Sequence, residues 1–401
     1  WSVGAGWNIA NESFMQGATS FLNTLKLRAS YGTSGNQNLG LFPYLATYET
    51  GWNILGSLGS IVGTLGNNNL TWEKQEQLDL GIDYALFSNR LTGSVTYYSR
   101  QSKDLLMARP LPISAGITSY NDNIGQVKNS GVEIDMRGLI LDSKDFSWDL
   151  GFNLTLQKNK VTQLPEEQKE GFNAANSKRI QIGYSMYSWY LQEFAGVDPQ
   201  DGKPMWYRDV KDADGNITGR ETVKTYANGT RYMVGDALPY ATGGINTNFS
   251  WKGISLNIIT SFALGGKLLD TDKSGLMSLF SSDRTGYQAS KDALKRWQKP
   301  GDITDVPYLS GATMGYNSAS THWLVKGDYL RVRSITLGYD LAKINAVKQL
   351  GLGSAKIYVS ADNPFTLFGS EGLDPEQGLN GVTTNTSSSM KVLSFGLNLE
   401  F

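Results

Sequence analysis

The sequence predicts an all-β, antiparallel transmembrane β-barrel, and three observations predict it. Apolar and polar residues alternate through one long segment after another, which is the period of a strand with one dry and one wet face. Connections alternate between tight turns and long excursions, as in barrels whose loops are short on one side of a membrane and long on the other. The chain also closes on an apolar strand, with Leu393, Phe395, Leu397, Leu399 and Phe401 set against Ser394, Gly396, Asn398 and Glu400. In water such an edge would invite aggregation, whereas in a barrel it is paired on both sides and faces lipid.

The elements follow in order. Residues 1–10 read as a first strand and 24–34 as a second, where Leu25, Leu27, Ala29 and Tyr31 alternate with Lys26, Arg28, Ser30 and Gly32. A third, 71–87, carries Leu78, Leu80, Ile82, Tyr84 and Leu86 against Asp79, Gly81, Asp83 and Ala85. Strands 91–105, 121–140 and 146–160 come next, the last placing Trp148, Leu150, Phe152, Leu154 and Leu156 on one face. Strands 71–87 and 121–140 run well beyond the roughly 5–6 residues usual in soluble sheets. After these come 240–251, 254–266, 329–341, 355–363 and 391–401. Ile259 interrupts its strand as an apolar residue on the polar side. In 329–341, Arg331 and Arg333 share parity with Ile335, Leu337 and Tyr339; arginines beyond the bilayer rim or a bulge would account for this. The stretch 181–207 reads either as two further strands or as an extracellular hairpin, giving roughly 11 to 13 strands.

Tight turns fall at 88–90, 142–145 and 251–253, and long extracellular loops are expected near 35–70, 105–121, 209–238, 270–327 and 365–390. With tight turns at the periplasmic end, strand parity delivers the last strand inward. Plugged transporters close at about 22 strands, so residues 1–401 read as the C-terminal, roughly half portion of one such barrel. An open half in lipid would leave two unsatisfied edges, so residues beyond these are expected to supply the remaining strands.

Composition agrees. Glycine contributes 45 of 401 residues, tyrosine 20 and tryptophan 10, while only 18% are charged; this profile is short of surface helices and rich in turn formers and girdle aromatics. The 36 basic and 37 acidic residues cancel to −1, leaving no field to draw nucleic acid. With no cysteine and a single histidine, His322, disulfides, Cys-ligated metals, thiol catalysis and multi-histidine sites are excluded. No apolar run nears the roughly 18 residues of a membrane helix. No nucleophile–base–orienter set is legible; no enzyme activity or cofactor is expected, and His322 reads as a surface or interface residue. The turn DADGN at 212–216 departs from calcium-loop spacing and reads as a plain Asp/Gly turn, so no metal is expected.

Several stretches together resemble the SusC/RagA-type TonB-dependent transporters of Bacteroidota outer membranes. They are LKLRASYGTSGNQNLGLFPYLATYE (25–49), NNNLTWEKQEQLDLGIDYALFSNRLTGSVTYYSRQSKDLL (67–106), PLPISAG (110–116), IGQVKNSGVEI (124–134), RWQKPGDITDVP (296–307), GDYLRVRSITLGYDL (327–341), ADNPFTLF (361–368) and GLDPE (372–376). The resemblance implies a 22-stranded barrel with an N-terminal plug and a TonB-contacting segment upstream. It also implies a SusD-like surface lipoprotein partner, energisation by TonB–ExbB–ExbD through the N-terminal region absent here, and in some members a dimer of transporter–lipoprotein pairs. The implied function is import of oligosaccharides or, in some members, oligopeptides across the outer membrane. A surface-binding, adhesin-like barrel without transport is the alternative, and an unplugged passive pore is disfavoured because it would be an unselective hole.

Ligand contacts are expected among loop aromatics, because flat rings stack on sugar faces while neutral polar groups bond hydroxyls. The candidates are Trp189, Trp206, Tyr207, Tyr287, Trp297, Tyr308, Tyr316 and Trp323; packing within the loops, a partner interface, or a girdle role for Tyr184, Tyr187, Trp189 and Tyr190 are the competing readings. These neutral aromatic loops lean the cargo towards glycan. On the polar faces Lys26, Arg28, Asp79, Asp83, Glu133, Asp135 and Arg137 are expected to line a wet lumen and meet the plug. GLDPE reads as a loop brace.

Overall fold

A computed structural model of the chain describes residues 1–18, 20–36, 42–117, 119–175, 177–278, 288–310, 314–344, 354–370, 372–383 and 387–400. Among these, eleven strands form one antiparallel sheet. In chain order they are β1 (Ser2–Asn8), β2 (Leu22–Asn36), β5 (Glu73–Leu86), β6 (Leu91–Pro110), β7 (Ser119–Asp142), β8 (Phe146–Gln163), β16 (Ala241–Trp251), β17 (Ile254–Leu264), β20 (Tyr329–Asp340), β21 (Ser354–Phe368) and β22 (Val392–Glu400). Each pairs only with its neighbours in this series, a pure up-and-down meander. The tight connections, 87–90, 143–145 and 252–253, lie along one edge together with the connections 9–21 and 341–353, and the four longest excursions leave from the other.

Register turns the alternation into two faces. One row runs Leu27, Ile82, Val95, Ile134 and Leu154 across five strands; another runs Ile254, Tyr339, Ile357 and Leu397 across four. These rows belong to the apolar face, and Leu80, Leu337, Phe395 and Leu397 on it are exposed. A soluble sheet would cover such a face; lipid satisfies it without a second layer. The opposite rows are polar: Lys26, Asp83, Ser94, Asp135 and Asn153 in one, Gln77, Arg100, Asn129 and Asn159 in the next but two.

The paired arginines in the strand before residue 341 are explained by a bulge. Ser334 opposes Ile259 and Val332 opposes Thr260, so Arg333 is the extra residue. A bulge shifts parity by one, which returns Val332 to the apolar face and Arg331 to the polar one. Two loop boundaries also differ from expectation. β6 and β7 remain paired out to Pro110 and Ser119 through irregular register, so most of 105–121 is strand. The expected excursion 209–238 is part of a longer one, 164–240, that carries its own strands.

The excursions hold the remaining elements. Between β2 and β5 lies a hairpin of β3 (Thr47–Ile54) and β4 (Ser57–Thr64). Between β8 and β16, β9 (Phe172–Ala174), β10 (Lys178–Ile180), β11 (Ser188–Gln192) and β15 (Arg231–Asp236) form one small sheet. In the same excursion β12 (Phe194–Val197), β13 (Pro204–Lys211) and β14 (Ile217–Val223) form another. The stretch 181–207 is therefore outside the main sheet. Between β17 and β20, β18 (Lys267–Leu269) pairs with β19 (Leu324–Lys326), and the described residues between them include a short α-helix, α1 (Thr271–Leu276). Asp270 caps α1 by accepting from the Lys273 backbone N–H at 2.8 Å.

Candidate functional site

The long excursions pack into a roof with a core of its own. Trp189, Leu191, Ala237, Leu269, Met277, Ala293, Val306, Tyr316 and Trp323 form one buried cluster, with Phe194 and Val382 against it. Burying several large aromatic residues supplies most of the association of loops that share little backbone pairing. Two indole N–H groups are tied off internally. Trp189 Nε1 donates to Lys267 O at 3.0 Å and Trp323 Nε1 to Tyr316 O at 2.9 Å. The Tyr316 hydroxyl and His322 Nε2 lie 2.9 Å apart, and His322 also packs 4.5 Å from the Phe194 ring. Burial lowers the His322 pKa from its ordinary value. His322 is thus a core brace of the roof rather than a surface residue.

Lys178 is the unusual group here. Its side chain is buried, with Nζ 2.9 Å from the centroid of the Trp189 ring and donating to Tyr187 O at 2.9 Å. Burial pulls its pKa down to about 7, against the opposing attraction of Asp236.

The roof folds over the polar face of β5–β8 and encloses a cleft of about 860 Å³. The sheet wall contributes Gln75, Tyr98, Arg100, Asn129, Gln157, Lys158 and Asn159; the roof contributes Tyr184, Ser185, Ser188, Met233, Asp236, Leu238 and Tyr240. Roof and wall are bonded at its margin. Gln157 Nε2 donates to Pro239 O at 2.9 Å, and Met186 N donates to Asn159 Oδ1 at 2.9 Å. Asn159 Nδ2 in turn donates to Asn129 Oδ1 at 2.7 Å. Tyr98 lies flat across Gly131 on β7, where an added Cβ would sit 2.7 Å from its hydroxyl; the glycine is what lets the ring lie down on the wall. A concave site with convergent amides, both signs of charge and a few apolar groups is suited to a polar oligomer.

At the far side of the roof a clasp fastens the last excursion. Arg331 reaches Asp374 at 2.6 Å and Glu376 at 2.5 Å, and Arg333 also pairs with Glu376. Asp374 further accepts from the backbone N–H of Glu376 at 3.0 Å and of Ser389 at 2.9 Å. Burial works to raise the Asp374 carboxyl, but these donors and the guanidinium outweigh it and hold its pKa below the ordinary value. The GLDPE segment is the brace that its sequence suggests. It delivers Val382 and Thr383 to Leu269, where Thr383 N donates to Leu269 O at 3.2 Å.

Among the described residues, none of the loop aromatics proposed as ligand contacts lines the cleft. Trp189, Trp206, Tyr316 and Trp323 are buried in the roof interior, where neither ring face is open to a solute. Trp189 is also no interfacial girdle residue. Tyr207 is half-buried beneath Arg220, whose guanidinium lies 4.3 Å from its ring. Trp297 stands edge-on to Tyr308, with ring centroids 6.3 Å apart, and donates to Pro199 O at 3.0 Å. Tyr287 lies outside the described residues. The seven charged residues assigned to the polar face do lie in its rows. Arg28 bonds Asp83 at 2.9 Å and Thr96 at 3.1 Å, and Arg137 bonds Asp149 at 2.9 Å. Sequence reasoning missed Tyr98, Arg100, Asn129, Gln157, Asn159 and Asp236. The polar row Gln77–Arg100–Asn129–Asn159 existed in the alternation, but only register aligns it.

Residues 1–363 match the family model described as TonB dependent receptor-like, beta-barrel. TonB-dependent receptor P3 of Formosa agariphila is 28% identical over 423 residues, covering 98% of this chain and 41% of that protein. TonB-dependent receptor SusC of Bacteroides thetaiotaomicron is 28% identical over 430 residues, covering 100% of this chain and 40% of that protein. A solved structure of the RagAB peptide transporter superposes with a TM-score of 0.83 at 30% identity, over 100% of this chain and 43% of that one. The chain therefore spans about two fifths of the length of the curated relatives it matches. Those relatives form a class of transport proteins rather than enzymes. With its meander, its exposed apolar face and its bonded roof, the chain belongs to the TonB-dependent receptor β-barrel family, of SusC/RagA type, and its place is the outer membrane.

Proposed function

We propose that this chain is the C-terminal part of a plugged, 22-stranded barrel that imports short peptides across the outer membrane. In this reading the apolar face meets lipid, the polar face lines the lumen and meets the plug, and the roof is extracellular. A SusD-like lipoprotein presents the oligomer at the roof, the cleft holds it, and TonB–ExbB–ExbD acts through the N-terminal region to clear the path. The observation that carries the reading is the cleft, which is lined by amides and charged groups of both signs. Such a lining matches a peptide backbone and its charged ends better than the apolar faces of sugar rings. The case for glycan rested on loop aromatics, and four of those are buried in the roof. Similarity to a protein described as a peptide transporter supports the same choice.

The roof also has a surface suited to a protein cover. Leu294, Ile303 and Leu309 are exposed, Ile303 to 94%, and offer apolar area that a covering partner would bury. Deleting the gene should abolish growth on oligopeptides as the sole amino-acid source while growth on free amino acids continues. Undiminished growth on peptides, with loss on one glycan instead, would overturn the peptide reading.

A further inference from the structure

Several arginines on this chain are matched to acids. Arg28, Arg109, Arg137, Arg331 and Arg333 each hold an aspartate or glutamate within 3.0 Å. Arg100 is different. It sits on the polar face of β6 in the wall of the cleft, and its neighbours in register are the carboxamides Gln77 and Asn129. Among the described residues its guanidinium has no carboxylate partner, and its Nε is buried without any hydrogen-bond acceptor. The guanidinium is instead held 5.0 Å from the centroid of the Tyr98 ring. That ring is pinned against Gly131, so the cation is presented from a fixed platform. The planar fork of an arginine matches a carboxylate in two parallel hydrogen bonds. Of the other charged residues along the cleft, Asp236 stands on the roof, and Lys158 shares the strand parity of Leu154 and Leu156.

From this geometry we infer that Arg100 is the carboxylate-binding residue of the cleft, and that the cargo is an oligomer bearing a carboxylate. The inference rests on the proposed import function and deepens it by naming the group recognised. Two sources carry that group, the α-carboxylate or acidic side chain of a peptide and the uronate of an acidic glycan. The Asp236 side chain on the facing wall accepts from Leu238 N at 3.0 Å and gives the cleft a negative pole opposite the arginine. This suits a ligand with separated charges of both signs, which favours the peptide.

The test uses the full-length protein with its native partner and three probes. These are a neutral heptapeptide with a free C-terminus, the same peptide as its C-terminal amide, and an oligogalacturonate. The wild-type protein should bind the free acid at least about tenfold more tightly than the amide, the scale of one charge-assisted bidentate contact. Arg100→Gln should erase that difference while leaving the amide's affinity within about twofold, and Arg100→Lys should restore part of it. Equal binding of acid and amide by the wild type, or an equal loss on both in the Gln variant, would overturn the assignment, and the first comparison needs no variant to fold. If only the oligogalacturonate binds, and Arg100→Gln abolishes it, the carboxylate assignment stands and the peptide reading falls. Failure of the wild type to bind any acidic probe overturns both.

Discussion

Arg331 and Asp374 form a buried ion pair at 2.6 Å although 43 residues separate them in the chain. The pair exists because a bulge at Arg333 turns both arginines out of the apolar row, and because Asp374 and Glu376 lie two apart on a loop that returns to them. Removing one partner of such a pair leaves a buried charge uncompensated, at a cost of about 3–5 kcal/mol. Asp374→Ala should therefore lower the Tm and open the segment around Asp374 to proteolysis, while adding Arg331→Met should recover much of the loss. If the double variant is as unstable as the single, the clasp is not electrostatic.

The same carboxyl sets an acid limit. Its folded pKa lies below the ordinary value, so its stabilising contribution is complete above the unfolded carboxylate range, roughly pH 4, and is lost as pH falls through the folded pKa. Acid-induced release of the last excursion, followed by limited proteolysis at stepped pH, should begin below about pH 4 in the wild type. In Asp374→Asn that step should be absent.

Lys178 predicts a rise of the same sign at alkaline pH. With a folded value near 7 against an ordinary 10.5, the unfolded chain binds more protons between those limits, so stability rises with pH across that window. Below pH 7 both states are charged and the burial penalty is constant. Lys178→Met should thus raise the Tm most at pH 6, with the advantage shrinking as pH approaches 10. A gap that does not change with pH would mean that the buried ammonium is not the source.

Trp189 tests the roof as a packed unit. It is wholly buried, bonded to Lys267 O and seated against Gly381. Trp189→Ala should cost about 3–5 kcal/mol and raise amide exchange together at 188–192, 267–269 and 381–383. Exchange confined to 188–192 would show that the excursions do not share a core.

Much of the fold was legible in the residues alone, because a two-residue period with one dry face leaves little choice of element. The alternation of Leu25–Tyr31 and of Leu78–Leu86 became β2 and β5 paired as neighbours, with Leu27 opposite Ile82. The parity conflict at Arg331 and Arg333 pointed to a bulge or a rim, and the paired register decided for the bulge. The site was less legible. Trp189 and Trp323 have the same composition signal whether a ring faces a sugar or packs under a loop, and only three-dimensional burial separates these cases. Arg100 drew no notice in sequence, since its meaning lies in what does not stand opposite it on β5 and β7.

The central claim is that the cleft under the roof holds a carboxylate-bearing peptide on its way inward. It is tested most directly by isolating the native complex gently from outer membranes and identifying by mass spectrometry what denaturation releases. Denaturation should release a set of short peptides with free C-termini, recovered together with a surface lipoprotein and lost from the Arg100→Gln protein. Recovery of neutral oligosaccharides alone would contradict it.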